Sequence, residues 1–198
     1  MLEKIVFKLK FMFVGLALRL MESMAPDALN KQLNQPCYDK WGRFLGWYSR
    51  SIATAIFVFC RDKNGMWNVL GSERGKGAAD FRGMWNCPCG YLDWNEDTEA
   101  CALRELKEEC GIDITGAQIR LIGVESSPKA NRQNVTLRYA AVLADVTTDQ
   151  VSDFSHDGNE PDEVAEIGWI QLNAVDKLSW AFGHKERIHE IADTLGLI

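Results

Sequence analysis

Three glutamates at i, i+3 and i+4 constrain this chain more than any other feature: Glu105, Glu108 and Glu109, within ALRELKEECG. The spacing predicts a helix over Asp97–Cys110, with Asn95, Asp97 or Thr98 as its cap and Gly111 just past its end. At 3.6 residues per turn the three carboxylates share an arc of about 100°. Leu103, Leu106 and Cys110 fall on the opposite side, so an apolar stripe is buried while an acidic face is presented. R-E-L-x-E-E alone also describes a solvated helix face paired with Arg104 or Lys107. Gathered carboxylates repel one another unless a cation neutralises them. A hard cation such as Mg²⁺ or Mn²⁺ takes oxygen ligands of this kind and leaves positions open for phosphate oxygens.

The surrounding segment, Gly90 to Ile112 (GYLDWNEDTEACALRELKEECGI), resembles the Nudix box, G-x5-E-x7-R-E-U-x-E-E-x-G-U with U a bulky aliphatic. Gly90, Glu96, Arg104, Glu105, Leu106, Glu108, Glu109, Gly111 and Ile112 occupy every fixed position. From average residue usage, a chance match at a given start is on the order of one in a billion. The resemblance implies an α/β fold: a Nudix α/β/α sandwich with a mixed sheet, here with an added N-terminal helix. It implies Glu105 and Glu109 as metal ligands, joined by Glu108, which can also orient the attacking water. Arg104 would orient a glutamate, and Glu96 and Gly90 would hold the loop together. Trp85-Asn86-Cys87-Pro88-Cys89-Gly90 resembles the family's W-x-x-P-G-G entry, with Cys89 replacing a glycine. The Cys89 carbonyl is a further candidate metal ligand. The catalytic base of such enzymes is either a box glutamate, here Glu108, or an acid in a later loop; Glu163 is the leading downstream candidate and Glu160 the second.

In the rest of the chain strands and helices are mixed without a regular βαβ alternation, which points to a mixed sheet with helices packed on it. Ser51–Cys60 and Met66–Gly71 flank an Asn-Gly turn and predict a hairpin. Gln118–Glu125, Val135–Val146 and Val164–Gln171 predict further strands, and Phe182–Leu195 a terminal helix. Residues 1–40 are expected to form an N-terminal helix and polar connector, and residues 41–198 the Nudix domain. Phe11–Leu18 is apolar between Lys8, Lys10 and Arg19, too short to span a bilayer, which needs ~20 residues. It predicts a helix that packs on the domain or on a second copy, an export signal or an interfacial membrane helix being the alternative readings.

A net charge of −6 argues against polynucleotide as the partner and leaves room for a small nucleotide derivative. Six cysteines without a disulfide or zinc rhythm imply free thiols and a cytoplasmic location. The resemblance implies a nucleoside diphosphate linked to another moiety as substrate, ADP-ribose or a nucleotide sugar foremost. Arg74, Lys76 and Arg82 precede the box as candidate pyrophosphate contacts. Trp85, with Trp47, Phe81, Trp180 and Phe182, is a candidate platform for the base. Ala181-Phe182-Gly183-His184 faintly resembles the F-D-H element of some ADP-ribose-type and regulator-type relatives, although a His at this position is expected on a helix surface. Isopentenyl diphosphate isomerases carry a degenerate box, so the intact one argues against them. The alternative function is a Nudix-fold sensor that binds a nucleotide without turnover; such regulators often lose box glutamates, which this chain keeps.

Overall fold

The computed structural model describes residues 35–39, 41–114, 116–131, 133–155 and 162–198. The expected helix within residues 1–24 and the candidate Glu160 lie outside them. The chain divides into two compact units at Ser49/Arg50. In the first, β1 (Gln35–Tyr38) and β2 (Phe44–Tyr48) form an antiparallel hairpin. Its turn is held by Asp39, whose carboxylate accepts the N–H groups of Trp41 and Arg43, both at 2.9 Å, and pairs with the Arg43 guanidinium at 2.7 Å. Residues 35–38, expected within the connector, form the hairpin's first strand; the sequence signal for the turn is Asp39 with Gly42 three residues on.

The second unit is built on a seven-stranded mixed sheet. Its centre is β3 (Ser51–Arg61), parallel to β8 (Asn134–Thr147). β4 (Trp67–Arg74) pairs with β3 through the expected hairpin, and the Asp62 carboxylate closes the turn by accepting from Asn64 and Met66 at 2.8 and 2.9 Å. β5 (Trp85–Asn86) and β9 (Val164–Gln171) pair with β4, β6 (Cys89–Tyr91) with β3, and β7 (Ile119–Glu125) with β8.

Successive β3 side chains point to opposite faces, and each face has its own core. Ala55, Phe57 and Phe59 pack with Val175, Ile188 and Ile191 beneath α2 (His184–Thr194). Ile56, Val58 and Cys60 pack with Leu106 and Cys110 of α1 (Thr98–Cys110). The unit is therefore an α/β/α sandwich. Removing a ring as buried as Phe57 would cost roughly 3–5 kcal/mol. No helix among the described residues is long and apolar enough to cross a membrane.

Candidate active site

Helix α1 starts where its caps predict. The Asp97 carboxylate accepts from Glu99 and Ala100 at 3.1 and 2.9 Å, and Gly111 ends the helix with a left-handed φ of 72°. Buried Leu106 and Cys110 fix its rotation, which turns Glu109 toward Ser72, Asn86 and Cys89 of β4, β5 and β6 and Glu105 toward Gly90 of β6. They do not form one uniform face. The Glu108 side chain is 38% exposed, whereas Glu109 is only 9% exposed.

Arg104 organises the first part of the cluster. It donates two bonds to the Glu96 carboxylate, at 2.7 and 3.0 Å, one to Glu105 at 2.8 Å, one to Glu108 at 2.9 Å and one to the Tyr91 carbonyl at 3.0 Å. The guanidinium holds Glu96 down to about 2, and the carboxylates in turn raise Arg104. Gly90 lies against Glu105: a Cβ there would sit 2.1 Å from its Oε1, so only glycine leaves room for that carboxylate.

Glu109 has a different environment. Its carboxyl group accepts from the Ser72 hydroxyl at 3.3 Å, the Asn86 amide at 3.4 Å and the Cys89 N–H at 3.4 Å. Ser72 and Asn86 come together because they are register partners of β4 and β5. Burial first, then the charge of Glu105 and that of Glu163, push Glu109 up to about 8. Glu105 is raised as well, chiefly by burial.

Glu163 is half-buried just before β9, and its charge acts on both Glu105 and Glu109. Its carbonyl accepts the Gly75 N–H at 2.6 Å and the Asp162 carbonyl accepts that of Gly77 at 2.8 Å. A Cβ on Gly75 would lie 2.1 Å from the Asp162 oxygen, so the glycine is what lets the loop after β4 lie against the segment that carries Glu163. Lys76 pairs with Asp162 at 3.4 Å.

Among the described residues, no three His, Cys, Asp or Glu side chains converge into a ready metal shell. The reason is visible in the bonding: Arg104 draws Glu105 and Glu108 to itself, while Glu109 turns to Ser72, Asn86 and Cys89. The donor set still fits a hard divalent cation. Its ligating atoms are carboxylate oxygens, and a buried carboxyl group crowded by two like charges is one that such a cation would relieve.

The candidate substrate contacts are placed unequally. Arg74 is buried, donates to the Asp80 carboxylate at 2.9 Å and carbonyl at 3.0 Å, and lies over the Phe182 ring at 5.1 Å. Arg82 is exposed and anchored to the Ala78 carbonyl at 2.7 Å. Trp85 is half-buried, packed over Gly71 and beside Trp180. Trp180 is a core residue whose indole donates to the Val175 carbonyl at 2.9 Å. The candidate Trp47 side chain lies outside the described set. Phe81 and Phe182 meet edge to face at 4.9 Å, exposed by 46% and 44%. Cys60, Cys87, Cys89, Cys101 and Cys110 are free thiols, and the Cys89 thiol lies by the Asn86 amide at 3.6 Å. His184, expected on a helix surface, is instead buried, and its Nδ1 accepts the Cys87 N–H at 3.0 Å. Helical periodicity misplaces it because it is the first residue of α2, under the sheet.

Comparison with known proteins agrees with this architecture. Residues 50–191 match the model of the NUDIX domain. The chain is 30% identical over 151 residues to the RNA pyrophosphohydrolase of Gluconacetobacter diazotrophicus, covering 68% of this chain and 84% of the relative. It is 28% identical over 127 residues to the isopentenyl-diphosphate Delta-isomerase of Rhodobacter capsulatus, covering 64% of this chain and 66% of the relative, just under two thirds of that protein's length. Among solved structures, the NUDIX domain of Shewanella oneidensis NrtR complexed with ADP ribose superposes with a TM-score of 0.60 at 20% identity, over 75% of this chain and 90% of that one. The Caenorhabditis elegans Ap4A hydrolase does so with a TM-score of 0.52 at 19% identity, over 75% and 99%. With its sandwich, its full box and a family match across most of its length, the chain belongs to the Nudix family.

Proposed function

We propose that the chain is a divalent-metal-dependent hydrolase that cleaves the pyrophosphate of a nucleoside diphosphate linked to another moiety, ADP-ribose or a nucleotide sugar foremost. The observation that carries this reading is the buried Glu109 carboxyl group, set against Glu105 and Glu163 with Arg104 orienting the neighbouring carboxylates. Glu105, Glu108 and Glu109, with the Cys89 carbonyl, would hold Mg²⁺ or Mn²⁺, which when bound neutralises phosphate charge and polarises phosphorus. Arg104 keeps Glu105 and Glu108 in fixed directions. Glu163, or Glu108 in its place, accepts the proton of the attacking water. Gly75, bonded to the Glu163 carbonyl, fixes the backbone of that acid beside the cluster. Arg82 meets the pyrophosphate from outside, while Arg74 holds Phe182 in place. The exposed Phe81–Phe182 pair, joined through Arg74 to the loop beside Glu163, is the platform for the base, with half-buried Trp85 a further candidate contact.

The test is a panel of nucleotide derivatives with Mg²⁺ or Mn²⁺, read by chromatography for released monophosphate. ADP-ribose and nucleotide sugars are cleaved, and Glu109→Gln loses turnover by orders of magnitude while staying folded. Near wild-type turnover in that variant overturns the assignment of Glu109. No cleavage across the panel, with binding retained, favours the sensor alternative. The two sequence relatives add two members to the panel: RNA bearing a 5′ polyphosphate, and isopentenyl diphosphate assayed for isomerisation. Free cysteines support a reducing, cytoplasmic setting. Dimerisation through residues 1–24 is a separate proposal; deleting them lowers the number of copies per particle measured by light scattering, and an unchanged number removes it.

A further inference from the structure

The segment after Leu178 runs beside β5 as a short parallel strand. Trp85 donates to the Ser179 carbonyl at 2.8 Å and Ala181 donates to the Trp85 carbonyl at 2.8 Å, about a Trp85–Trp180 bridge. In a parallel ladder the next donor is the Cys87 N–H and its acceptor would be the Ala181 carbonyl. That carbonyl is already taken by the His184 N–H, at 2.9 Å, as the chain turns into α2. Cys87 is fully buried, and its N–H would be left without a partner at a substantial cost. The His184 ring supplies the missing acceptor through Nδ1, at 3.0 Å. Two successive left-handed residues, Phe182 at φ 57° and Gly183 at φ 69°, turn the backbone so that the ring comes back beneath β5. Left-handed geometry is unfavourable for a phenylalanine, so the turn is held by what surrounds it.

The Cys87 residue is thereby gripped at both ends. Its N–H is held by His184, and its carbonyl accepts from the Asn86 side chain at 2.9 Å. That same Asn86 amide reaches Glu109 at 3.4 Å. Two residues on, the Cys89 N–H points at the other Glu109 oxygen, also at 3.4 Å, and between them the Pro88 carbonyl is tied to the Ile56 N–H at 2.9 Å. Two of the donors that set the direction of Glu109 therefore hang on the backbone of Cys87. With Nδ1 accepting, the imidazole proton sits on Nε2. Burial pushes His184 down to about 3, and the Phe57 and Phe182 rings pack against it at 5.4 and 5.6 Å, so the ring stays neutral.

We propose that His184 is a positioning residue of the carboxylate site: its neutral imidazole, through Nδ1, fixes the Cys87–Cys89 loop and so the donors that aim Glu109. Its effect on metal binding rests on the function proposed above, and the ring touches neither substrate nor cation.

The test compares His184→Asn, whose carboxamide oxygen can replace Nδ1, with His184→Leu, which fills the space without an acceptor. Mn²⁺ binding is measured by the loss of the free-ion electron paramagnetic resonance signal. Wild type and H184N bind with similar affinity, and H184L binds roughly 10–100-fold more weakly, the range for partners behind metal ligands. In nuclear magnetic resonance spectra the imidazole is the Nε2–H form, and the Cys87 amide exchanges slowly with solvent in wild type and H184N but fast in H184L. Equal Mn²⁺ affinity in H184L and wild type overturns the proposal, as does an Nδ1-protonated ring. If the wild-type protein ignores Mn²⁺, the metal reading fails alone, and the Cys87 amide signal still decides whether His184 holds the loop. Should H184L not fold, the wild-type protein and H184N decide between them. An Nε2–H ring, a slow Cys87 amide in both proteins and matched Mn²⁺ affinities support the proposal; a Cys87 amide that exchanges fast in wild type overturns it.

Discussion

Chelating divalent cations and measuring stability against pH sets two buried groups against each other. His184 is held down to about 3, so below its ordinary value of 6.5 the unfolded chain takes up a proton that the native state refuses. Its contribution is complete above 6.5 and is lost as pH falls toward 3, at about 1.4 kcal/mol per pH unit. Glu109 is pushed up to about 8 from 4.5, so the native state keeps a proton that the unfolded chain has released. Its contribution is complete below 4.5 and is lost as pH rises toward 8, at the same rate. Between pH 4.5 and 6.5 the two slopes oppose. Each amounts to about 2.7 kcal/mol over that window, so they nearly cancel, with Glu105 tilting the balance toward a fall with rising pH. Glu96, held down to about 2, acts only below the window. The assay is urea unfolding followed by tryptophan fluorescence at pH 4.5, 5.5 and 6.5 in chelator. Wild type is nearly flat. His184→Asn loses about 2.7 kcal/mol from pH 4.5 to 6.5, and Glu109→Gln gains about as much. If both variants run parallel to wild type, the burial of these two groups does not govern their titration and the reasoning fails.

Other outcomes follow from single contacts. Gly90→Ala places a methyl group where the Glu105 oxygen lies; turnover falls at least about tenfold and stability by roughly 1–3 kcal/mol, read from the kcat and the urea midpoint. Arg104→Met leaves Glu96, Glu105 and Glu108 without their shared cation and costs roughly 3 kcal/mol, with Glu96 returning toward the ordinary carboxylate range in a carbon-13 titration. Asp97→Ala removes the cap of α1 and costs about 1 kcal/mol by thermal unfolding, with little effect on kcat. Phe81→Ala and Phe182→Ala raise the KM for a base-containing substrate while leaving hydrolysis of a base-free pyrophosphate ester unchanged; an equal effect on both would reject the platform.

Local signals made the fold legible. The Asn-Gly turn between two β-branched runs gives the β3–β4 hairpin, and Asp97 with Gly111 brackets α1 within a residue, because caps and turns depend on neighbours in sequence. The period of 3.6 also brings Glu105, Glu108 and Glu109 to one side of the helix. It treats them as equals, however, and the fold does not. Ser72 and Asn86 meet Glu109 only because β4 pairs with β5, and Glu163 nears it only because β9 also pairs with β4. Those pairings join residues far apart in the chain, and no helical projection contains them. The same holds for Cys87 and His184, separated by 97 residues and joined by one hydrogen bond. Sequence spacing thus identifies which carboxylates are collected, while the sheet register decides which one is buried. A buried carboxyl group held by weak, long hydrogen bonds among like charges gains most when a cation arrives, whereas Glu108, half in water and paired with Arg104, gains least. Replacing Glu109 should therefore weaken Mn²⁺ binding more than replacing Glu108, an ordering that three equivalent glutamates on a helix face would not produce.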